Sequence, residues 1–313
     1  MSFAVIIYGP TAVGKTDFAN MLAAHIPSEI INADAAQFYA PLTIGTAKTD
    51  WKNAPVMHHM FDICNEPINY SVANYRTNAE KLVATIIQRG NIPIFVGGSG
   101  FYVDSLFFPL NTYTAPVAAP SEIDQSWDAL YAIDPVRAKA IHPNDTYRIS
   151  RAFLLYQQTN QLPSELKPIY SPITRLLFLE LSDAPELLQH RIHMRTAQMI
   201  ERGWVQETET LLGTAWESFI AKKKWIGYPE IMAYCYAGKN PDKIEEIKEA
   251  INRTTWRYAR KQMAYARMLH QKIVHADAQA HYVKIDLTSH SLELYIKQFA
   301  EHILLLQKGF SNE

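Results

Sequence analysis

Cysteine is nearly missing from this chain: its 313 residues hold two, Cys64 and Cys235. They stand far apart, with no CxxC pair and no Cys/His spacing around them. That excludes a disulfide framework or a zinc site as the organising element and points to a reduced, cytoplasmic compartment. Long apolar runs are also lacking, so no membrane span and no membrane partner are expected. No charged leader with a cleavage site precedes the first apolar run, and a secretory signal is not expected. Charge of one sign is missing as well. With 30 Lys and Arg against 31 Asp and Glu, net −1, any nucleic-acid surface must come from local clustering. No internal repeat and no low-complexity tract is present. What remains, 48% apolar and 19% charged residues, is the composition of an ordinary globular protein with ample core, a monomer by default.

What is there begins at the N-terminus. The apolar run Phe3–Tyr8 reads as a strand. It leads directly into Gly9, Pro10, Thr11, Ala12, Val13, Gly14, Lys15 and Thr16, followed by a predicted helix over residues 17–25. This is G-x-x-x-x-G-K-[ST] between a strand and a helix, the context in which the pattern means a phosphate-binding loop. Gly9 and Gly14 let the backbone turn tightly, so that N–H groups converge on an anion at a helix N-terminus. Lys15 adds a mobile positive charge, and the Thr16 hydroxyl suits Mg²⁺. A di- or triphosphate is the expected ligand.

Strands and helices alternate through the first hundred residues. A second strand is predicted over residues 29–33 and a third over 92–96. Between them a helix runs from the N-cap Ser71 to residue 89, closed by Gly90. Such alternation predicts an α/β fold with a parallel sheet covered on both faces. Residues 111–120 are rich in Pro, Thr and Ala and read as a linker or an excursion out of the core. Helices are predicted over 121–132 and 145–159, a returning strand over 175–181, and helices over 185–201, 205–212, 228–236 and 241–271. A last strand at 282–287 and a closing helix at 292–307 complete the pattern. The expected organisation is a phosphate-loop NTPase-like core, residues 1–110 and 173–313, interrupted by a small helical insertion domain at 111–172.

Several side chains suit chemistry. Asp34 stands at the carboxyl end of the second strand, where open parallel sheets place their ligands, and could take a proton from an acceptor nucleophile. The plain alternative is an N-cap for the next turn. The third strand ends in Gly97, Gly98, Ser99 and Gly100, without the carboxylate that helps many NTPases to hold Mg²⁺. This weakens an ATPase reading and favours close backbone approach to a ligand. Arg191 and Arg195, one helical turn apart, could clamp a phosphate or could be surface arginines. Arg253, Arg257 and Arg260 fall on one helix face with Trp256, Tyr258 and Tyr265 interleaved, the footprint expected on a phosphate backbone with unstacked bases; a solvated helix face is the alternative. Adjacent His58 and His59 fit no metal spacing; one is expected to pack and the other to be exposed. Lys222, Lys223, Lys224 and Trp225 could extend the surface formed by Arg253, Arg257 and Arg260, although a bare charge run of this kind more often reads as a solvated loop.

In order, several blocks of the chain resemble the tRNA dimethylallyltransferase (tRNA isopentenyltransferase) family. They are the phosphate loop at 9–16, Ile31 to Tyr39, Ile44 to Lys48, His58 to Asp62, and Ile94 to Tyr102. Next come Ile141 to Asp145 with Arg148 and Arg151, Ile226-Gly227-Tyr228, and Arg257 to Gln262. The resemblance implies transfer of a dimethylallyl group from dimethylallyl diphosphate to the exocyclic N6 amine of the adenosine 3′ of the anticodon, with release of pyrophosphate. It implies Asp34 as base, and Thr11, Lys15, Thr16 and Mg²⁺ on the pyrophosphate, assisted by one arginine, of which Arg191 is favoured. It further implies RNA contacts from Asp34, Ala35, Ala36 and Gln37, from Tyr147, Arg148, Ile149, Ser150 and Arg151, and from Ser99 lining the channel, with Arg257 and Arg260 added by the basic helix. The partners would be a tRNA anticodon stem-loop and dimethylallyl diphosphate. The chain departs from the family pattern at Ala35, where serine is usual, at Ser99, where threonine is usual, and in an insertion that looks short. A phosphate-loop kinase with an ATP site, acting on a small molecule or nucleoside, shares the loop and Asp34 and stays open at this point. So does an RNA-binding protein that uses a nucleotide as a switch.

Overall fold

The structure, a computed structural model, describes residues 3–109, 125–166, 169–277, 281–288 and 292–310. Two compact units emerge: Met1–Phe107 with Pro172–Glu313, and Phe108–Ser171. The predicted linker at 111–120 and the start of the helix predicted at 121–132 lie outside the described residues.

The larger unit opens with β1 (Phe3–Tyr8), α1 (Lys15–Ala23), β2 (Ser28–Asn32), β3 (His58–His59), α2 (Val72–Gln88), β4 (Ile92–Gly97) and α3 (Gly100–Phe107). The smaller unit holds α4 (Trp127–Ile133), α5 (Pro135–Lys139) and α6 (Thr146–Thr159). The chain returns through β5 (Arg175–Ser182), α7 (Pro185–Glu201), α8 (Trp204–Glu209), α9 (Ala215–Lys223), α10 (Tyr228–Tyr236), α11 (Ile244–Ala276), β6 (His281–Asp286) and α12 (Leu292–Phe310).

Six strands form one parallel sheet in the order β3-β2-β4-β1-β5-β6. Every residue of β1 and β2 is buried. Continuous apolar runs are what a parallel sheet covered on both faces requires. Phe18, Leu22, Leu188, Ile296, Phe299 and Ile303 pack from the flanking helices into one core with Val5, Ile7 and Leu179. Each such side chain contributes about 1.5–3 kcal/mol by leaving water. β1 lies between β4 and β5, so the loop after it emerges at the carboxyl edge, where the connections diverge to either side. That edge is where a ligand is expected in this architecture.

Sequence and structure differ in a few places. β3 is a two-residue edge strand beside β2, too short for any periodic signal. α9 was not expected. It starts at Thr214, whose side chain accepts from Trp216 N, and its last turn carries Lys222 and Lys223, with Lys224 as a left-handed cap at φ 53°. The lysine run therefore closes a helix. α2 begins at Ser71, whose Oγ accepts from Asn74 N, and ends before Gly90 at φ 80°, as its capping residues require.

The smaller unit has its own core of Leu130, Ala138, Ile141, Ile149, Ala152 and Phe153. Trp127 Nε1 donates to the carbonyls of Ala138 and Ile141, each at 2.9 Å. Buried Asp134 caps α5, accepting from Arg137 N at 2.9 Å and from Ser164 N at 2.8 Å.

Candidate active site

The phosphate loop takes the shape its glycines allow. A Cβ on Gly9 would stand 2.6 Å from the Leu181 carbonyl, so a side chain there would push β5 away. Gly14 caps α1 at φ 95°, in the region that favours glycine. Ala12 is also left-handed, at φ 64°. Lys15 Nζ donates to the carbonyls of Gly9 at 3.0 Å and Pro10 at 2.8 Å, folding back over its own loop. Burial pulls the Lys15 ammonium down to about 7; Asp34 opposes this and Arg195 adds to it. Val13 is buried under the loop, and Thr16 is exposed on the first helical turn.

Asp34 follows β2, and the plainer of its two readings is seen directly. Its Oδ1 accepts from Ala36 N at 3.0 Å, so it is the N-cap of a 3₁₀ turn over Ala35–Phe38. Its backbone is clamped by Asn32, whose Oδ1 accepts from Asp34 N at 2.9 Å and whose Nδ2 donates to Asp34 O at 3.2 Å and Met60 O at 3.0 Å. Burial raises the Asp34 carboxyl, opposed by Ala36 N–H, Lys15 and Arg195. A carboxylate held in place with a raised proton affinity is equipped to act as a base.

Asp34 lines a cavity of about 360 Å³ together with Thr11, Ala35, Ala36, Ser99, Arg195 and Tyr258. The rest of the lining is mostly apolar, including Ile192, Met199, Trp204, Trp225, Ile226 and Tyr228, with Lys223 and Lys224 adding positive charge. A few polar groups converging in an apolar cleft of this size is the usual form of a small-molecule site. Ser99 Oγ accepts from Ala35 N at 3.0 Å, tying the glycine-rich turn after β4 to the Asp34 turn. Gly97 allows that approach, since a Cβ there would collide with the Ala33 backbone. Gln37 Nε2 donates to Thr46 O at 3.0 Å. A second cavity, about 430 Å³, is lined by His59, Met60, Tyr70, Lys81 and Thr85 among others, and neither the loop nor Asp34 reaches it.

The two candidate arginines part company. Arg195 Nη1 donates to Thr11 Oγ1 at 3.1 Å, and the side chain lines the cavity within electrostatic reach of Asp34. Arg191 lies outside the lining: its Nη2 is 2.5 Å from Asp183 Oδ2, and its Nη1 is 3.5 Å from Ala12 O. The favoured arginine thus braces the outside of the loop, and its neighbour one turn along faces the cavity.

Arg253, Arg257, Arg260, Lys261 and Arg267 are exposed on α11, and none forms an ion pair among the described residues. Tyr258 turns the other way, into the cavity wall, where burial and the nearby Asp34 keep its phenol protonated. In the smaller unit, Tyr147, Arg148 and Ser150 are exposed at the start of α6, Arg148 pairing with Asp145 at 3.3 Å. Ile149 belongs to that unit's core, so its side chain cannot join a surface contact. The histidine pair behaves differently from the expectation that one would be exposed. His58 is buried, and His59 Nε2 lies 2.6 Å from buried Glu29.

Three positioning side chains escaped sequence reasoning. Asn32 holds the Asp34 backbone, as above. Glu207 on α8 accepts from the N–H groups of Thr43 at 3.0 Å, Ile44 at 2.6 Å and Gly45 at 3.0 Å, and from Tyr228 OH at 2.7 Å. It fixes the Gly45–Thr46 part of the cavity wall, where Gly45 packs so tightly on Trp204 that a Cβ has no room. The third, Gln262 on α11, accepts from Thr11 N at 2.7 Å and donates to Gly98 O at 2.8 Å. Asn32 and Gln262 stood inside family-like blocks, but without a signal for these partners.

No helix among the described residues is long and apolar enough to cross a membrane. Known proteins resemble the chain along most of its length. The IPP transferase family profile matches residues 37–269. A tRNA dimethylallyltransferase of Alkaliphilus oremlandii is 32% identical over 278 residues, 84% of this chain and 88% of that protein. One from Pseudothermotoga lettingae is 31% identical over 327 aligned positions, 98% of this chain and 99% of the relative. Among solved structures, the tRNA isopentenylpyrophosphate transferase of Bacillus halodurans superposes with a TM-score of 0.69 at 28% identity, covering 99% of this chain and 98% of its own. A eukaryotic dimethylallyltransferase solved acting on tRNA gives a TM-score of 0.78 at 24% identity, over 100% of this chain and 80% of its own; this last likeness bears on the fold alone.

Proposed function

This chain belongs to the IPP transferase family, and from that premise we propose that it transfers a dimethylallyl group from dimethylallyl diphosphate to the N6 amine of the adenosine 3′ of the anticodon in tRNA. The observation that carries this reading is the juxtaposition, on one mostly apolar cavity, of Asp34 with Thr11 of the phosphate loop. The N6 nitrogen attacks the allylic carbon, the carbon–oxygen bond breaks, and its electron pair leaves with pyrophosphate. Asp34 takes the proton that the amine sheds. Thr11 and Arg195, hydrogen-bonded to each other, and the loop N–H groups stabilise the charge that develops on the leaving group. Arg191 supports the loop from behind through Ala12 and Asp183.

Mg²⁺ suits the donors present. Among the described residues no cluster of three or more His, Cys, Asp or Glu could hold a metal ion. Mg²⁺ commonly keeps its waters and takes one or two protein ligands plus phosphate oxygens, which matches a single Thr16 hydroxyl beside the loop. When bound it neutralises part of the pyrophosphate charge.

The adenosine must leave the anticodon-loop stack to reach Asp34, at a cost of about a few kcal/mol that stacking on aromatic side chains can offset. Ala35, Ala36 and Ser99, which line the cavity, with Gln37 next to them in the chain, are the contacts of this reading near Asp34, and the exposed arginines of α11, with Tyr147, Arg148, Ser150 and Arg151 of the smaller unit, its backbone contacts. A reduced cytoplasmic compartment and a monomer are consistent with it. A kinase reading is disfavoured, because the relatives are named as dimethylallyltransferases and β4 ends without a carboxylate. The test is mass spectrometry of nucleosides from unmodified tRNA incubated with the protein, dimethylallyl diphosphate and Mg²⁺. One five-carbon prenyl unit on the adenosine beside the anticodon is expected. No gain, with ATP turned over instead, would overturn the reading.

A further inference from the structure

Gln262 lies on the inner side of α11, only 4% exposed, and its amide is committed at both ends. Oε1 accepts from the backbone N–H of Thr11 at 2.7 Å, and Nε2 donates to Gly98 O at 2.8 Å. The orientation of the amide is fixed by its partners, since an N–H can only meet the oxygen and a carbonyl only the nitrogen. Ser99, next to Gly98 in the chain, lines the same cavity as Tyr258. Ser99 in turn accepts from Ala35 N, beside Asp34. At the main chain, the Gln262 carbonyl accepts from Tyr8 OH at 3.2 Å, at the end of the strand that feeds the loop. Gly98 is shaped around this contact: a Cβ there would collide with Gln262 Nε2.

A continuous path therefore runs from the phosphate loop through the Gln262 amide to Gly98, along the chain to the adjacent Ser99, and through its hydroxyl to the turn that carries Asp34. We infer that Gln262 is a positioning residue that sets the phosphate loop at a fixed separation from Asp34. The inference rests on the proposed transferase reading for its consequence, although the clamp itself does not depend on it. A transfer in which nucleophile and leaving group must line up loses rate steeply when either end drifts, which gives such a clamp its value. The helix that holds Gln262 inward presents Arg257, Arg260 and Lys261 outward. One element thus serves both the loop and the basic face.

The test compares Gln262→Leu, which removes both bonds, with Gln262→Glu, which keeps an acceptor for Thr11 N and loses the donor to Gly98. Hydrogen exchange in the ligand-free protein is the first readout. In Gln262→Leu the Thr11 amide should exchange at least about tenfold faster, with the sheet amides unchanged, and Gln262→Glu should restore its protection. The second readout is affinity for inorganic pyrophosphate, expected to fall about tenfold in Gln262→Leu while tRNA affinity stays within about twofold. Gly98→Ala attacks the same contact from the other side, and its effect should not add to that of Gln262→Leu. Unchanged Thr11 exchange in Gln262→Leu would overturn the inference. Pyrophosphate and tRNA affinity falling together with the melting temperature would also overturn it, in favour of a merely structural role. If the wild-type protein bound no pyrophosphate, the transferase reading would fail and Thr11 exchange would still decide the role of Gln262.

Discussion

Glu29, near the start of β2, and Asp34, just past its end, are acids on one strand in opposite surroundings. Glu29 is buried and fully engaged: His59 Nε2 lies at 2.6 Å, Arg89 Nη1 at 3.0 Å and Asn91 Nδ2 at 2.9 Å. Burial pushes its carboxyl up, but the bonds from Asn91, His59 and Arg89 outweigh it and hold the group below the usual range. The Asp34 carboxylate has only the backbone N–H groups of Ala36 and Gln37 beside it and two cations at a distance, and burial prevails, holding it above the usual range. A carboxylate locked in direct contact with charged and amide side chains is structural, and one without an ion pair among the described residues, at the carboxyl edge of a parallel sheet, is available for a proton. The amino-terminal end of β2 locks α2 to the sheet, and the carboxyl-terminal end faces the cavity.

The sharpest way to break this contrast is Asp34→Asn. Transfer should fall about a thousandfold, with tRNA affinity within a few fold, in single-turnover assays and filter binding; retained turnover would remove its role as base. Next comes the pair of arginines. Arg195→Met should weaken pyrophosphate binding by about thirtyfold and Arg191→Met by no more than about threefold, as read by calorimetry. The reverse order would return the leaving group to Arg191. At the other end of β2, Glu29→Gln should cost about 2 kcal/mol of stability at pH 7 by denaturant unfolding, with transfer by the folded protein unaltered. Loss of turnover without loss of stability would erase the distinction between the two ends.

The smallest effect is the most diagnostic, because the two acids predict pH slopes of opposite sign. With its folded-state proton affinity lowered, Glu29 stabilises the protein above the unfolded carboxylate range and loses that contribution as pH falls through its folded value. The stability deficit of Glu29→Gln should therefore shrink in acid. Asp34, raised in the folded state, holds its proton more tightly there and destabilises the protein once pH climbs through its folded value. Asp34→Asn should thus melt slightly higher than wild type at neutral pH, with the gain vanishing as pH falls toward the unfolded carboxylate range. Paired thermal melts from pH 4 to pH 8 check both slopes, and parallel slopes would refute the assignment of opposite shifts.

Strands β1, β4 and β5 were legible because a buried parallel strand announces itself as an unbroken apolar run, and the phosphate loop because its eight residues are consecutive. Asp34 was legible from its place after such a run. β3 was not, since two residues carry no period, and neither was α9, whose one fully buried side chain, Ile220, leaves only a weak apolar stripe. Arg191 and Arg195 lie one turn apart on a single face of α7, so spacing could not say which one enters the cavity. Asp183 decides it by pairing with Arg191.

By itself the sequence determined the class of fold, the identity and backbone geometry of the phosphate loop, and the acid beside it, because each depends on residues adjacent in the chain. Tertiary structure alone decided which groups hold those pieces in place. Gln262 meets Thr11 and Gly98 across 251 and 164 positions of sequence, and Glu207 meets Ile44 across 163. Such hydrogen bonds have no local pattern to read: they exist only once the sheet brings its carboxyl edge, α8 and α11 together, and buried polar groups find the partners that the fold leaves within reach.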